Sequence, residues 1–239
     1  MTFVQVVDCR TRHFDKMNRL MDDWIALTEG KRTATHSVVG RDHSDSDHYI
    51  EIIEFPSFEK AMENSNLQET DRVFQEIVSL CEGLPSFTDL DVVRDEQLGK
   101  STVRRFFEEV AVGGDLALVD DLFADGYRDH DIGRAEPIVG HEAMKRNVTD
   151  WRDAFDFRFD LHDELAEGDR VAVRWTWHGS HQGDFMGLQP TGQEVRMAGT
   201  TVFRLEDGRI AEGWWTYDLL GLLRQLGGVN LQRQVPAEG

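Results

Sequence analysis

Trp175–Gly192 reads WTWHGSHQGDFMGLQPTG and Gly199–Glu212 reads GTTVFRLEDGRIAE, and these two stretches decide the fold of the chain. Trp175 and Trp177 alternate with Thr176 and His178, the period of a strand with one buried face. The glycines and Pro190-Thr191-Gly192 mark an excursion and a turn, and Glu206-Asp207-Gly208 turns within the second stretch. Together they make one long, sharply curved hairpin system.

Working outward, Val171 and Val173 carry the alternation backwards. Phe155, Phe157, Phe159 and Leu161 alternate with Asp156, Arg158, Asp160 and His162 in a preceding strand. A helix from Gly140 to about Ala154 turns Met144, Val148 and Trp151 inward, and Tyr127 to Asp131 forms a short strand. Two helical stripes precede these strands: Val103, Phe106, Phe107 and Val110, then Leu116, Val119, Leu122 and Phe123, with Gly113-Gly114-Asp115 breaking them apart. Asp218 opens a closing helix with Leu219, Leu222, Leu223 and Leu226, and the tail after Gly228 is expected to be mobile.

Gly179, Ser180, His181, Gly183, Phe185, Gly187, Pro190, Thr191 and Gly192 fit the pattern Gly-Thr-His-x-Gly-x-Phe-x-Gly-x-x-Pro-Thr-Gly. With that segment, residues 100 to 228 resemble the SnoaL-like polyketide cyclase, or ester cyclase, family. The resemblance implies a cone-shaped curved sheet of the nuclear transport factor 2/ketosteroid isomerase type over residues 98–239. It also implies an intramolecular aldol closure in which an aspartate acts as general acid/base without metal or cofactor. In that family the aspartate follows a tryptophan on the last long strand. Here Ile210, Glu212 and Trp214 align with the family text, which puts Trp215 at the aspartate position and Thr200 or Thr201 near the assisting histidine. An indole cannot shuttle a proton near neutral pH.

Upstream, Phe3 to Cys9 is strand-like, and Phe14, Met17, Leu20, Met21, Trp24, Ile25 and Thr28 recur at helical spacing before Gly30. Thr33–Gly40 and His48–Phe55 are β-rich, Ser57 starts a helix, Phe74, Ile77, Val78 and Cys81 share a second helical face, and Phe87–Val93 is a last strand. This β-α-β-β-α-β order is ferredoxin-like. It resembles the dimeric α/β-barrel group that includes antibiotic-biosynthesis monooxygenases, and implies face-to-face pairing of sheets in a homodimer. Arg94–Lys100 is the candidate linker between a domain at 1–97 and one at 98–239. The whole is an α+β protein.

A bent sheet wrapped on helices leaves an apolar cup with a few polar groups aimed inward. The candidate catalytic residues are His130, Asp131 and Asp218. An adjacent carboxylate raises histidine basicity, while Asp218 is either a pocket carboxylate or a helix N-cap. Candidate substrate-binding residues are Arg174, Thr176, His178, His181, Trp214, Trp215 and Tyr217; Arg174 either pairs with a carboxylate or meets a carbonyl-bearing ligand. His141 and Asp184 are further polar candidates. No metal site is expected, since the spacing of His178, His181, His162 and Asp184 matches no ligand signature. Nor is a cofactor. Cys9 and Cys81 are expected to be small buried hydrophobes.

A formal charge of −19 without any basic run repels phosphate backbones and anionic lipid, so neither nucleic acid nor membrane is an expected partner. The N-terminal stretch lacks the pattern of a leader, and the chain is expected in the cytoplasm. The expected partner is a hydrophobic, carbonyl-bearing small molecule undergoing cyclisation, isomerisation or hydrolysis. The alternatives are a non-catalytic binding or stress-response protein, and a cofactor-free monooxygenase using Trp24 or His36 in the N-terminal barrel.

Overall fold

The computed structural model describes residues 2–134 and 136–229, and the chain divides at Asp95/Glu96 into two compact units. The expectation of a mobile tail therefore concerns, Val229 apart, residues outside those described.

In the first unit the order is β1 (Phe3–Arg10), α1 (Phe14–Leu27), β2 (His36–Arg41), β3 (His48–Phe55), α2 (Phe58–Ser65), α3 (Gln68–Ser79) and β4 (Ser86–Asp91). The four strands form an antiparallel sheet in the order β2-β3-β1-β4. Ser57 caps α2 by accepting from the Lys60 amide, which is why the helix starts directly after Pro56. Odd-numbered residues of β1 and β3 face the helices. The even-numbered Ile50 and Ile52, with Val38 of β2 and Leu90 of β4, stay exposed on the other face.

The second unit begins with α4 (Leu98–Arg105), which runs into a π-helical stretch at Phe106–Val112. A 3-10 turn at Leu116–Leu118 and α5 (Val119–Leu122) follow. Leu98 to Lys100 thus belongs to a helix rather than to a linker, and Phe123 starts a strand rather than ending a helix. The strands are β5 (Phe123–Asp131), β6 (Ile138–Val139), β7 (Phe155–Glu167), β8 (Arg170–His181), β9 (Glu194–Glu206) and β10 (Arg209–Tyr217). The helices α6 (His141–Ala154) and α7 (Leu219–Gln225) complete the unit. The sheet order is β6-β5-β10-β9-β8-β7, with β10 parallel to β5 and the other pairs antiparallel. Register shifts between Ile210 and Glu212 and between Leu161 and Asp163 bend the sheet, because an extra residue on one strand increases local twist and curvature.

The concave face is filled by rings. Phe106, Phe107, Phe123, Tyr127, Phe155, Trp175, Trp177 and Phe203 are all buried. Two of these indoles lie over glycines: a Cβ on Gly179 would collide with the Trp177 ring, and one on Gly199, opposite Trp175 in the β8-β9 register, would collide with the Trp175 ring. Trp175 Nε1 donates to Thr201 Oγ1 at 2.9 Å, so the large ring is buried without orphaning its one donor.

Gly199→Ala forces the Trp175 ring out of its seat, and the expected cost is about 1–3 kcal/mol. Urea unfolding followed by tryptophan fluorescence measures it; a cost below about 0.5 kcal/mol would contradict this packing.

Candidate active site

Period two sorts the strand residues between cup and outer surface. On β5, Tyr127, Asp129 and Asp131 point inward, and on β10, Gly213, Trp215 and Tyr217 do. The intervening His130 and Trp214 point outward, where their rings stack at 5.1 Å. On β8, Trp175, Trp177, Gly179 and His181 face in, while Arg174, Thr176 and His178 face out.

The inward residues enclose a narrow cavity of about 70 Å³. Its walls are rings and methionines: Phe106, Phe157, Phe159, Trp175, Trp215 and Met144 among them. Its polar lining is Asp129, Asp131, Asn147 and Tyr217. A surface cleft of about 330 Å³ shares Asp131, Trp151 and Tyr217 with the cavity and adds Arg134, Asp150 and Asp184, so cleft and slot adjoin at the polar end.

Asp129 is 3% exposed. Its Oδ2 accepts from Tyr127 Oη at 3.2 Å, while Oδ1 has no hydrogen-bond partner among the described residues. Burial, with a smaller contribution from the Asp131 charge two residues on, raises its pKa to about 6. Asp131 is held differently. It accepts from Tyr217 Oη at 2.5 Å and from the Gly133 amide at 2.7 Å, and the Arg134 guanidinium lies 3.5 Å from it. Burial and the Asp131 contact together push the Tyr217 phenol above its ordinary value. Asn147, on the apolar stripe of α6, takes the Arg134 guanidinium on Oδ1 at 2.6 Å. Arginine only donates, so that contact fixes which end of the amide is oxygen and leaves the N–H groups as the donors of this lining residue.

The two positions where this chain departs from the expected aspartate and histidine are now structural. Trp215 packs against Phe106, Phe107, Trp175 and Phe203, with Nε1 on the side of the Tyr127 hydroxyl. The Thr201 hydroxyl is occupied by Trp175. Neither aligned position therefore presents an ionisable group to the cavity, whose carboxyls are Asp129 and Asp131.

Of the expected site residues, the structure brings Asp131, Trp215 and Tyr217 into the cavity lining. The positions expected for others are corrected. His130 pairs on the outer face with Glu212 at 2.9 Å, beside Trp214, whose other neighbour is Arg170. That pairing and the Arg204 ion pair hold the Glu212 carboxyl below its ordinary pKa, the Arg204 hydrogen bond contributing most. Asp218 caps α7 by accepting from the Gly221 amide at 2.7 Å. Arg174 pairs with Asp163 at 2.6 Å on the outside, His178 with Asp160, and Thr176 with His162. His181 is fully buried but serves the loop: its Nδ1 contacts Thr191 Oγ1 at 3.1 Å and accepts from the Thr191 amide, and its ring stacks on Phe155. His141 lies against Asp120 and the Phe123 carbonyl, and Asp184 accepts from the Gly187 amide. Among the described residues no group of three or more His, Cys, Asp or Glu is placed to hold a metal ion.

Asp129 and Asn147 were not singled out from the sequence, although the signal was present. Asp129 shares strand parity with Asp131, which its neighbour His130 cannot do. Asn147 falls at i+3 from Met144 and i−4 from Trp151, a polar residue in an apolar helical stripe.

The sequence model of the SnoaL-like polyketide cyclases matches residues 101–226. Similar solved structures include a candidate SnoaL-like polyketide cyclase from Jannaschia sp. CCS1, 25% identical, with 59% of this chain and 99% of that one covered at a TM-score of 0.53. A candidate polyketide cyclase from Acidithiobacillus ferrooxidans is 29% identical over 58% of this chain and 98% of its own, at 0.51. IdmH, a candidate polyketide cyclase from Streptomyces antibioticus, is 29% identical over 55% and 99%, at 0.50. No curated protein matches the chain.

Because the folded state holds the Asp129 proton up to about pH 6, against an ordinary value of 3.8, its protonated form favours the fold below about pH 4 and that contribution is lost as pH rises through 6. The shift corresponds to about 3 kcal/mol. Asp129→Asn is accordingly expected to be more stable than the parent at pH 8 and to hold no advantage at pH 4. Urea midpoints at the two pH values test this; equal midpoint differences would contradict a raised Asp129 pKa.

Proposed function

The chain belongs to the SnoaL-like polyketide cyclase family, and from that premise we propose that its second unit is an enzyme of cyclase or isomerase type that works by enolisation of a hydrophobic carbonyl compound without a cofactor. The observation that supports this most is Asp129: a carboxyl buried among rings, in the lining of the cavity, with its pKa raised to about 6. Near neutral pH such a group is mostly ionised yet close enough to the operating pH to return the proton, as a general base that becomes a general acid must.

In this reading the carbonyl compound enters through the Arg134 cleft with its α-carbon at Asp129. Asp129 removes the α-proton, and the electron pair moves onto the carbonyl oxygen. The Asn147 amide donates to that oxygen as it becomes an enolate, a preorganised donor aimed where charge develops. The enolate then attacks a second carbonyl of the same molecule, closing a ring, or is reprotonated at a different carbon, shifting a double bond. Asp129 returns the proton in both cases. Tyr217, fixed by Asp131, closes the polar end. The slot admits the flat, reacting part of a substrate, and the wider cleft takes the remainder.

The second reading, a non-catalytic binder, draws on Trp215, which stands where the family's aspartate is expected and narrows the cavity with its indole. For the first unit, the fold reading is a ferredoxin-like α/β-barrel half that pairs with a second copy. The exposed apolar sheet face of Val38, Ile50, Ile52 and Leu90 supports it. A cytoplasmic location belongs to this proposal; among the described residues no helix is long and apolar enough to cross a membrane.

Enolisation has a readout that does not depend on the final reaction. Exchange of α-protons for deuterium in aromatic β-ketoesters, followed by NMR, is expected to be accelerated by the parent chain. Asp129→Asn should slow it by about 10²–10⁴-fold, whereas His130→Ala and Asp218→Asn should leave it within a few-fold. No acceleration over buffer across a panel of such ketones would favour the binder. For the assembly, sedimentation is expected to give a dimer, and Ile52→Lys a monomer.

A further inference from the structure

The first unit contains a cavity of its own, about 360 Å³, between the sheet and the helices α1 and α3, larger than the cavity of the second unit. Its floor includes Val7, Val39 and Ile53, and its roof Met21, Trp24 and Phe74. These residues occupy the middle of a two-layer sandwich, where close packing leaves few voids larger than a water molecule. Yet each of them is only half-buried, although Met17, Tyr49, Phe55 and Val73 of the same lining are buried. The two layers thus leave part of their facing apolar surface uncovered, and apolar surface left to water is unfavourable.

The polar lining includes Asn64, Ser65, Thr70 and Asp71 on the helices and, on the sheet, one carboxyl, Glu51. Glu51 projects from the middle of β3 into the lining, between Tyr49 and Ile53 on the same face. Its Oε1 accepts from Ser37 Oγ at 2.7 Å, and among the described residues Oε2 has no hydrogen-bond partner. Trp24 Nε1 is already committed to Thr70 Oγ1 and the Gln5 amide to Asp89. His36 faces the opposite side of the sheet, beside Glu54. The cavity therefore offers aromatic and thioether walls, which adapt to flat apolar molecules, and an acceptor oxygen at its floor.

We infer that the first unit binds a flat, largely apolar small molecule that carries one hydroxyl or amine N–H group, seated between sheet and helices with that donor on Glu51. This is a second ligand site, separate in residues and in chemistry from the acid/base cavity, and it stands whether or not the second unit is an enzyme. Burial pushes the Glu51 carboxyl up from its ordinary pKa, a penalty that a donor from the ligand relieves.

The test titrates the full chain with N-phenyl-1-naphthylamine, a neutral two-ring amine whose fluorescence rises in apolar surroundings, and with its N-methyl derivative, which lacks the donor. The expected result is saturable 1:1 binding of the parent probe and at least tenfold weaker binding of the methylated one. Val39→Trp, which fills the cavity from the edge strand, should weaken the amine at least tenfold. Glu51→Met removes the acceptor at similar volume and should erase the preference between the two probes, with circular dichroism confirming the fold of each variant. Should Val39→Trp fail to fold, the probe preference in Glu51→Met decides alone. Absence of saturable binding, or binding indifferent to Val39→Trp and Glu51→Met, overturns the inference.

Discussion

Two indoles seated over two glycines set the interior of the second unit. Trp175 lies across Gly199 and Trp177 across Gly179, so that large rings occupy a strongly bent sheet without pushing its strands apart. Everything near the cavity is built on these rings. Trp175 consumes the Thr201 hydroxyl, packs against Trp215, and forms part of the wall behind which Asp129 is shielded from water. Shielding is what raises the Asp129 pKa, since the ionised form loses hydration that the Tyr127 hydroxyl and the Arg134 charge offset only in part. The chemistry proposed for the cavity is in this sense a consequence of aromatic packing. A carboxyl at the same strand position in an open, wet sheet would titrate in its ordinary range and would be a weak base at neutral pH.

Much of the architecture was legible before any coordinates. The alternation through Phe155–Leu161 and Val171–Trp177 marks two strands with one inward face, and that face is buried on β8 and, Phe155 apart, half-buried on β7. The site was legible only in part, because a strand has two sides and neighbours along it never share one. His130 and Asp131 cannot both face the cup. Choosing them together paired a cavity residue with an outer-face residue, and the inward partner of Asp131 was Asp129. The same parity separates Trp215 from Trp214 and His181 from His178. What no single stretch of text reveals is which side chains satisfy one another across strands: that Thr201 is claimed by Trp175, that Asp163 takes Arg174, or that Asn147 is oriented by Arg134. Those pairings depend on register, which the β-bulges at Leu161 and Ile210 shift by a residue.

The two units differ in how they treat apolar surface. The second closes its sheet over helices with rings that leave a narrow slot, while the first leaves part of its sandwich open and the far side of its sheet bare. Open interiors and bare faces cost stability unless something covers them. The proposed small molecule in the one and the proposed second copy on the other would account for both features. The acidic chain, with its charge of −19, keeps such apolar surfaces from associating indiscriminately, since like charges on neighbouring molecules repel at long range.

The proposed chemistry depends most on the ionisation of one carboxyl. Carbon-13 NMR of the Asp129 side chain, assigned by comparison with Asp129→Asn and titrated between pH 3 and 9, measures it directly. The structure predicts a midpoint of about 6. A midpoint in the ordinary range of an exposed aspartate, about 4, would contradict the shielded acid/base cavity and with it the enzyme.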